Sequence, residues 1–119
     1  MSTVLEGGQP ERPAIQVRSA VGSDIEREVL AGIEEEGVPY VVTRPRTAGS
    51  ADDLAREAAQ RSSLDVGVGI DAQGRVSVAH ELLREPVAGL VSNGAATTSF
   101  ARSAGHNAAR IVCGIPLRL

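Results

Sequence analysis

The chain has 119 residues, a formal net charge of -3, 2% aromatic residues and a single cysteine, Cys113, and every one of its basic residues is an arginine. One unpaired cysteine excludes a disulfide scaffold, and no apolar run is long enough to span a membrane or act as a signal leader. The missing lysine excludes Schiff-base and P-loop chemistry, and an acidic chain with two aromatics is a poor nucleic-acid binder. One small cytoplasmic domain is expected, with a core of Val, Ile, Leu and Ala.

Residues 1–12 read as a flexible tail, rich in breakers and without an apolar period, and 13–119 read as a single α/β domain. Ile15 and Val17 alternate with Gln16 and Arg18, which predicts a strand over 14–18. Ser23 and Glu26 have the spacing of a capping box. Ile25, Val29, Leu30 and Ile33 then recur at helical spacing, so a helix is expected over 24–36, closed by Gly37.

Residues 38–42 (VPYVV) predict a second strand, with Pro39 pointing to an edge position. The polar loop 43–50 carries Arg44 and Arg46. Ser50 and Asp53 cap a second helix over 52–61, whose small inward face of Leu54, Ala55 and Ala58 implies close packing on a sheet. Residues 64–70 (LDVGVGI) predict a central strand, in which Gly67 and Gly69 allow a close approach. The connection 71–74 is short enough only for a hairpin, so the strand over 75–80 should run antiparallel. A fifth short strand is expected over 87–91. Thr97 or Thr98 should start a last helix, with Phe100, Ala104, Ala108, Ile111 and Val112 buried and Gly114 at its end. Together these elements predict a three-layer α/β sandwich with a mixed sheet, helices on both faces and parallel right-handed crossovers for the first two connections.

No self-contained active site emerges. Cys113, at a helix end, reads as a buried structural thiol, and His80 and His106 fit no triad. Gly67-Val68-Gly69 lacks the remaining glycine of a dinucleotide fingerprint, and a hairpin follows it. Two surface features stand out. Glu34, Glu35 and Glu36 crowd the last helical turn, against the helix dipole. Glu35 falls about 200° around the axis from Ile33 and should project away from the core. Arg102, His106 and Arg110, spaced by four, should form a stripe opposite the buried face of the last helix. Each feature reads either as a solvated face or as a contact surface. Glu35 could also reach a metal ion held by a partner.

Three segments carry a resemblance: 29–39 (VLAGIEEEGVP), 54–68 (LAREAAQRSSLDVGV), running on into Gly69, and 104–112 (AGHNAARIV) with the closing 114–117 (GIPL). In this order, they are similar to the small subunit of the reactivating factor for adenosylcobalamin-dependent glycerol and diol dehydratases. The resemblance implies a fold like the dehydratase medium subunit, which is anticodon-binding-domain-like. It implies a non-catalytic subunit of a chaperone-like factor that frees damaged cobalamin from inactivated dehydratase. The expected partner is an Hsp70-like ATPase large subunit, in a heterotetramer of two large and two small subunits, and the transient partner is the dehydratase. In the implied scheme, the small subunit leaves and the dehydratase medium subunit takes its place. No cofactor is expected on the isolated chain. The resemblance places a divalent cation, Mg2+ or Ca2+, at the interface with the large subunit, with Glu35 as this chain's ligand. The alternative it leaves open is a medium-type subunit of the dehydratase itself, taking part in cobalamin binding. The medium subunit is longer, which favours the reactivating factor.

Overall fold

Four strands form one sheet in a computed structural model that describes residues 12–83 and 90–117. The predicted 1–12 tail lies outside the described residues except for Arg12, and so does most of the predicted 87–91 strand. In chain order the elements are β1 (Ile15–Ser19), α1 (Asp24–Glu35), β2 (Tyr40–Thr43), α2 (Ala51–Arg61), β3 (Val66–Ile70), β4 (Val76–His80) and α3 (Thr98–Cys113). Of the predicted fifth strand, Val91 makes an isolated antiparallel bridge to Ser77, and Leu90 is buried in the core.

The sheet order is β2-β1-β3-β4. β1 pairs parallel with both β2 and β3, and β4 is antiparallel to β3. The Pro39 strand therefore sits at an edge, and the glycine-bearing strand sits inside the sheet. The chain moves outward from β1 to β2, then back across β1 to β3. Two right-handed crossovers running in opposite directions put their helices on opposite faces.

The burial pattern confirms this. Ile15, Val17, Val66, Val68, Ile70, Val76 and Val78 form one cluster with Val29 and Ile33 of α1 and Ala101, Ala104, Ala108 and Ala109 of α3. No α2 residue belongs to that cluster. On the other face, a Cβ on Gly67 would lie 2.2 Å from the Ala59 nitrogen, and one on Gly69 would lie 2.2 Å from the Ala51 carbonyl oxygen. The two glycines open the sheet surface, and Leu54, Ala55, Ala58 and Ala59 of α2 settle onto it. The result is three layers: α1 and α3, the sheet, and α2.

The caps follow the sequence with small shifts. The side chains of Ser23, Ser50 and Thr97 accept from the backbone N–H three residues on. The Ser23 box is only half formed, because the Glu26 carboxylate turns instead to Arg44. The third strand starts at Val66 rather than at residue 64. Asp65 has φ 62°, inside a turn where the Ser62 carbonyl accepts from its N–H. Buried Ser62 also donates through its hydroxyl to the Ala14 carbonyl at 2.7 Å, tying the end of α2 to the entry of β1. In the β3–β4 hairpin, Asp71 Oδ1 accepts from the N–H groups of Gln73 and Arg75, both at 2.9 Å. Cys113, expected to be buried, is exposed, because the last turn of α3 runs past the edge of the core.

Candidate functional site

α1 and α3 touch backbone to backbone. A Cβ on Gly32 would fall 2.2 Å from the Arg102 carbonyl oxygen, and one on Gly105 would fall 2.1 Å from the Val29 carbonyl oxygen. Only two glycines facing each other allow this spacing. Helix pairs normally stand about 8–10 Å apart, with the side chains at the contact setting the distance. Here the crossing carries none, so charged side chains on either side of it reach across directly.

Glu28, Glu35 and Glu36 come from α1 and its C-cap, and Arg102, His106 and Arg110 come from α3. The Arg102 guanidinium donates from Nε to Glu28 at 2.9 Å and from Nη1 to Glu35 at 2.9 Å. The His106 ring faces Glu35 through Nε2 at 2.8 Å and Glu36 through Nδ1 at 2.6 Å. Arg110 donates from Nε to Glu36 at 3.0 Å and from Nη1 to the Pro116 carbonyl at 3.0 Å, which holds the chain after α3. Glu34, on the other side of the turn, accepts a 2.6 Å hydrogen bond from the Tyr40 hydroxyl.

The acidic run and the basic stripe were each expected to face outward. The structure instead brings Glu35, Glu36, Arg102, His106 and Arg110 together in one lattice. The stripe does not lie opposite the buried face of α3. His106 is only 8% exposed, because α1 covers that side of the helix. The Glu35 side chain remains half exposed, and that of Glu36 is largely covered. Glu28 was not singled out from sequence. Its signal was available: Glu28, Gly32 and Glu35 lie within two turns on one side of α1.

Three carboxylates, Glu28, Glu35 and Glu36, meet two guanidinium groups and the His106 imidazole. For Glu35, partial burial pushes the carboxyl up, but the hydrogen bonds from Arg102 and His106 outweigh it and hold it below the usual range. For Glu36, the hydrogen bond from His106 lowers the carboxyl, burial opposes it, and Arg110 lowers it further. The Arg102 guanidinium is held still more firmly charged, first by Glu28 and then by Glu35. The Tyr40 hydroxyl is pushed up, first by its bond to Glu34.

Among the described residues, no group of three or more His, Cys, Asp or Glu could hold a metal ion alone. A cation held at Glu35 would need the rest of its shell from outside the described residues. After the bonds to Arg102 and His106, each of its oxygens keeps a lone pair, which fits that limited role.

Comparison with known proteins places this geometry in context. The family model described as dehydratase medium subunit matches residues 12–118. The diol dehydratase-reactivating factor small subunit of Klebsiella michiganensis is 40% identical over 113 residues, covering 93% of this chain and 88% of the relative. The propanediol dehydratase-reactivating factor small subunit of Salmonella typhimurium is 39% identical over 92 residues, covering 76% of this chain and 77% of the relative. Among solved structures, a glycerol dehydratase reactivase aligns with a TM-score of 0.81 at 28% identity, covering 91% of this chain and 98% of that one. A diol dehydratase-reactivating factor complexed with ADP and Mg2+ aligns with a TM-score of 0.74 at 34% identity, covering 92% of this chain and 100% of that one. The chain belongs to the dehydratase medium-subunit family, and within it to the small subunits of dehydratase-reactivating factors.

Proposed function

We propose that this chain is the exchangeable, non-catalytic small subunit of a factor that reactivates adenosylcobalamin-dependent diol or glycerol dehydratase. Its work is recognition. It pairs with an ATPase large subunit and leaves it so that the dehydratase can dock in its place, allowing damaged cobalamin to escape. The observation that carries this is the match to reactivating-factor small subunits across nearly the whole chain. The proposed assembly is two large and two small subunits, in the cytoplasm.

The end of α1 with the α3 stripe beside it is the proposed contact: Glu34, Glu35 and Glu36, with Arg102, His106 and Arg110, which hold Glu35 and Glu36 while Tyr40 holds Glu34. Glu35 is the residue placed to give one carboxylate to a divalent cation shared with the large subunit. A cation bound there supplies a charge bridge between the two chains. Arg102 and His106 orient that carboxylate, and Arg102 neutralises it when the subunit is free.

The test is the affinity of the chain for an ATPase large subunit, with Mg2+ and with a chelator. Glu35→Gln is expected to weaken association at least tenfold in Mg2+ and little in the chelator. Equal affinities in all four conditions would remove Glu35 from the interface. The family model's description favours a second reading, a medium-type dehydratase subunit. It predicts a cobalamin-dependent absorbance change on reconstitution with a barrel subunit, and the reactivating-factor reading predicts none.

A further inference from the structure

Positive charge gathers at the opposite end of the sheet. β1 and β2 are adjacent and parallel, but the chain leaves β1 for α1 on one face and leaves β2 for α2 on the other. The two connections part beyond the carboxyl ends of the strands and leave a crevice there. A cavity of about 460 Å³ lies in it, a volume in the range of small-molecule sites. Arg18 and Thr43 form its floor, from the ends of β1 and β2. The loop 44–49 and the α2 side chains Leu54, Glu57 and Arg61 form its walls.

Four guanidinium groups line this cavity, those of Arg18, Arg44, Arg46 and Arg61, against one carboxylate, Glu57. In a chain of net charge -3 this is an unusual concentration. Arg44 is committed to Glu26 in a two-point bridge. Arg46 and Arg61 are exposed and carry no ion pair among the described residues. Arg18 is the telling group. Only 8% of it is exposed. Its Nη1 donates to Thr43 Oγ1 at 3.3 Å, and Glu57 lies 3.3 Å from Nε. Yet Nε is buried and makes no hydrogen bond. Glu57 meets the charge, but the hydrogen-bonding capacity of Nε stays unused, and native structures leave few buried donors in that state. Guanidinium forks match the oxygens of a phosphate group, to which they donate in pairs.

The geometry points to a binding site for the phosphate group of a small phosphate monoester in the crevice between β1 and β2, anchored by Arg18 with Arg46 and Arg61. Inorganic phosphate shares the anchoring chemistry. The cavity exceeds the size of a lone anion, and Leu54 and Pro45 give an apolar wall for an organic group. The site lies at the far end of the strands from Glu35, so it is independent of the proposed contact with the large subunit.

Isothermal titration of the full chain at low ionic strength, with orthophosphate and with adenosine monophosphate, tests this. Saturable binding with a submillimolar constant is expected, tighter for the ester, and weaker as salt rises. Arg46→Gln and Arg61→Gln, both at exposed positions, should each weaken it about three- to tenfold, and Arg18→Met should abolish it. If Arg18→Met does not fold, the Arg46→Gln, Arg61→Gln double variant carries the test. No saturation by either probe at 10-millimolar levels, or binding unchanged in the folded variants, overturns the site. Tighter binding of orthophosphate than of the ester overturns the monoester assignment.

Discussion

Gly105→Ala probes the contact on which the α1–α3 lattice depends. The added methyl would stand 2.1 Å from the Val29 carbonyl oxygen and 3.0 Å from the Ile33 nitrogen, both backbone atoms that no rotamer change can move. An ordinary carbon–oxygen contact is about 3.3 Å, so the helices must separate by about 1 Å. Overpacking of this kind costs about 1–3 kcal/mol, and rigid backbone on both sides puts it at the upper end. Replacing glycine by alanine inside a helix returns about 1 kcal/mol. The net loss is about 2 kcal/mol, or a fall in Tm of about 8 °C for a domain of this size. Thermal unfolding by circular dichroism reads the stability. Proton NMR of the His106 ring reads the lattice, whose bonds at 2.6 and 2.8 Å do not survive such a separation. Gly37→Ala is the control. Its φ of +79° carries strain but it faces open space, so it should cost about 1 kcal/mol and leave the ring signals in place. A Gly105→Ala protein as stable as its parent, with unchanged His106 signals, would refute the close crossing.

Three further outcomes follow from the same structure. The lowered carboxyls of Glu35 and Glu36 make a contribution to stability that is complete above the unfolded value of about 4.3 and is lost as pH falls through their lower folded values. The gap in urea midpoint between the parent and Glu36→Gln should therefore be constant from pH 6 to 5 and close below pH 4. Parallel curves down to pH 3 would contradict it. Ser62→Ala strands the buried Ala14 carbonyl and should cost about 1–3 kcal/mol by urea unfolding, whereas a surface-sized effect under 0.5 kcal/mol would deny the tie. Gly67→Val pushes a branched side chain into the Ala59 backbone and should prevent α2 from docking, read as lost protection of the β3 amides from hydrogen exchange. Parent-like protection in that variant would mean α2 packs elsewhere.

Much of the fold is legible in the sequence because its punctuation is strong. Ser50, Thr97 and Gly114 mark helix ends, Pro39 marks an edge strand, and the four residues after Ile70 leave room only for a hairpin. Gly67 and Gly69 announce a close approach, and α2 makes it. The site was read only in halves. Helical spacing places Glu35 and Arg102 on their own helices, but it says nothing about which helices meet, because the pairing of α1 with α3 is a tertiary event. The missing clue was Gly32 opposite Gly105. Each looks like an ordinary weak point in a helix until the partner is known. His106 was misplaced for the same reason: a residue opposite the sheet-facing side of one helix is still buried when a second helix covers it. Cys113 failed differently, since its burial depended on how far α3 overshoots the core.

The most direct test of the central claim is the identity of the large chain that associates with this one at native levels. Affinity capture of the tagged full chain from its own cells, followed by mass spectrometry of the bound chains, reads it. The account predicts an ATPase large subunit, near one-to-one with this chain, reduced in the Glu35→Gln variant. Recovery instead of an active dehydratase, with this chain in the place of its medium subunit, would contradict it.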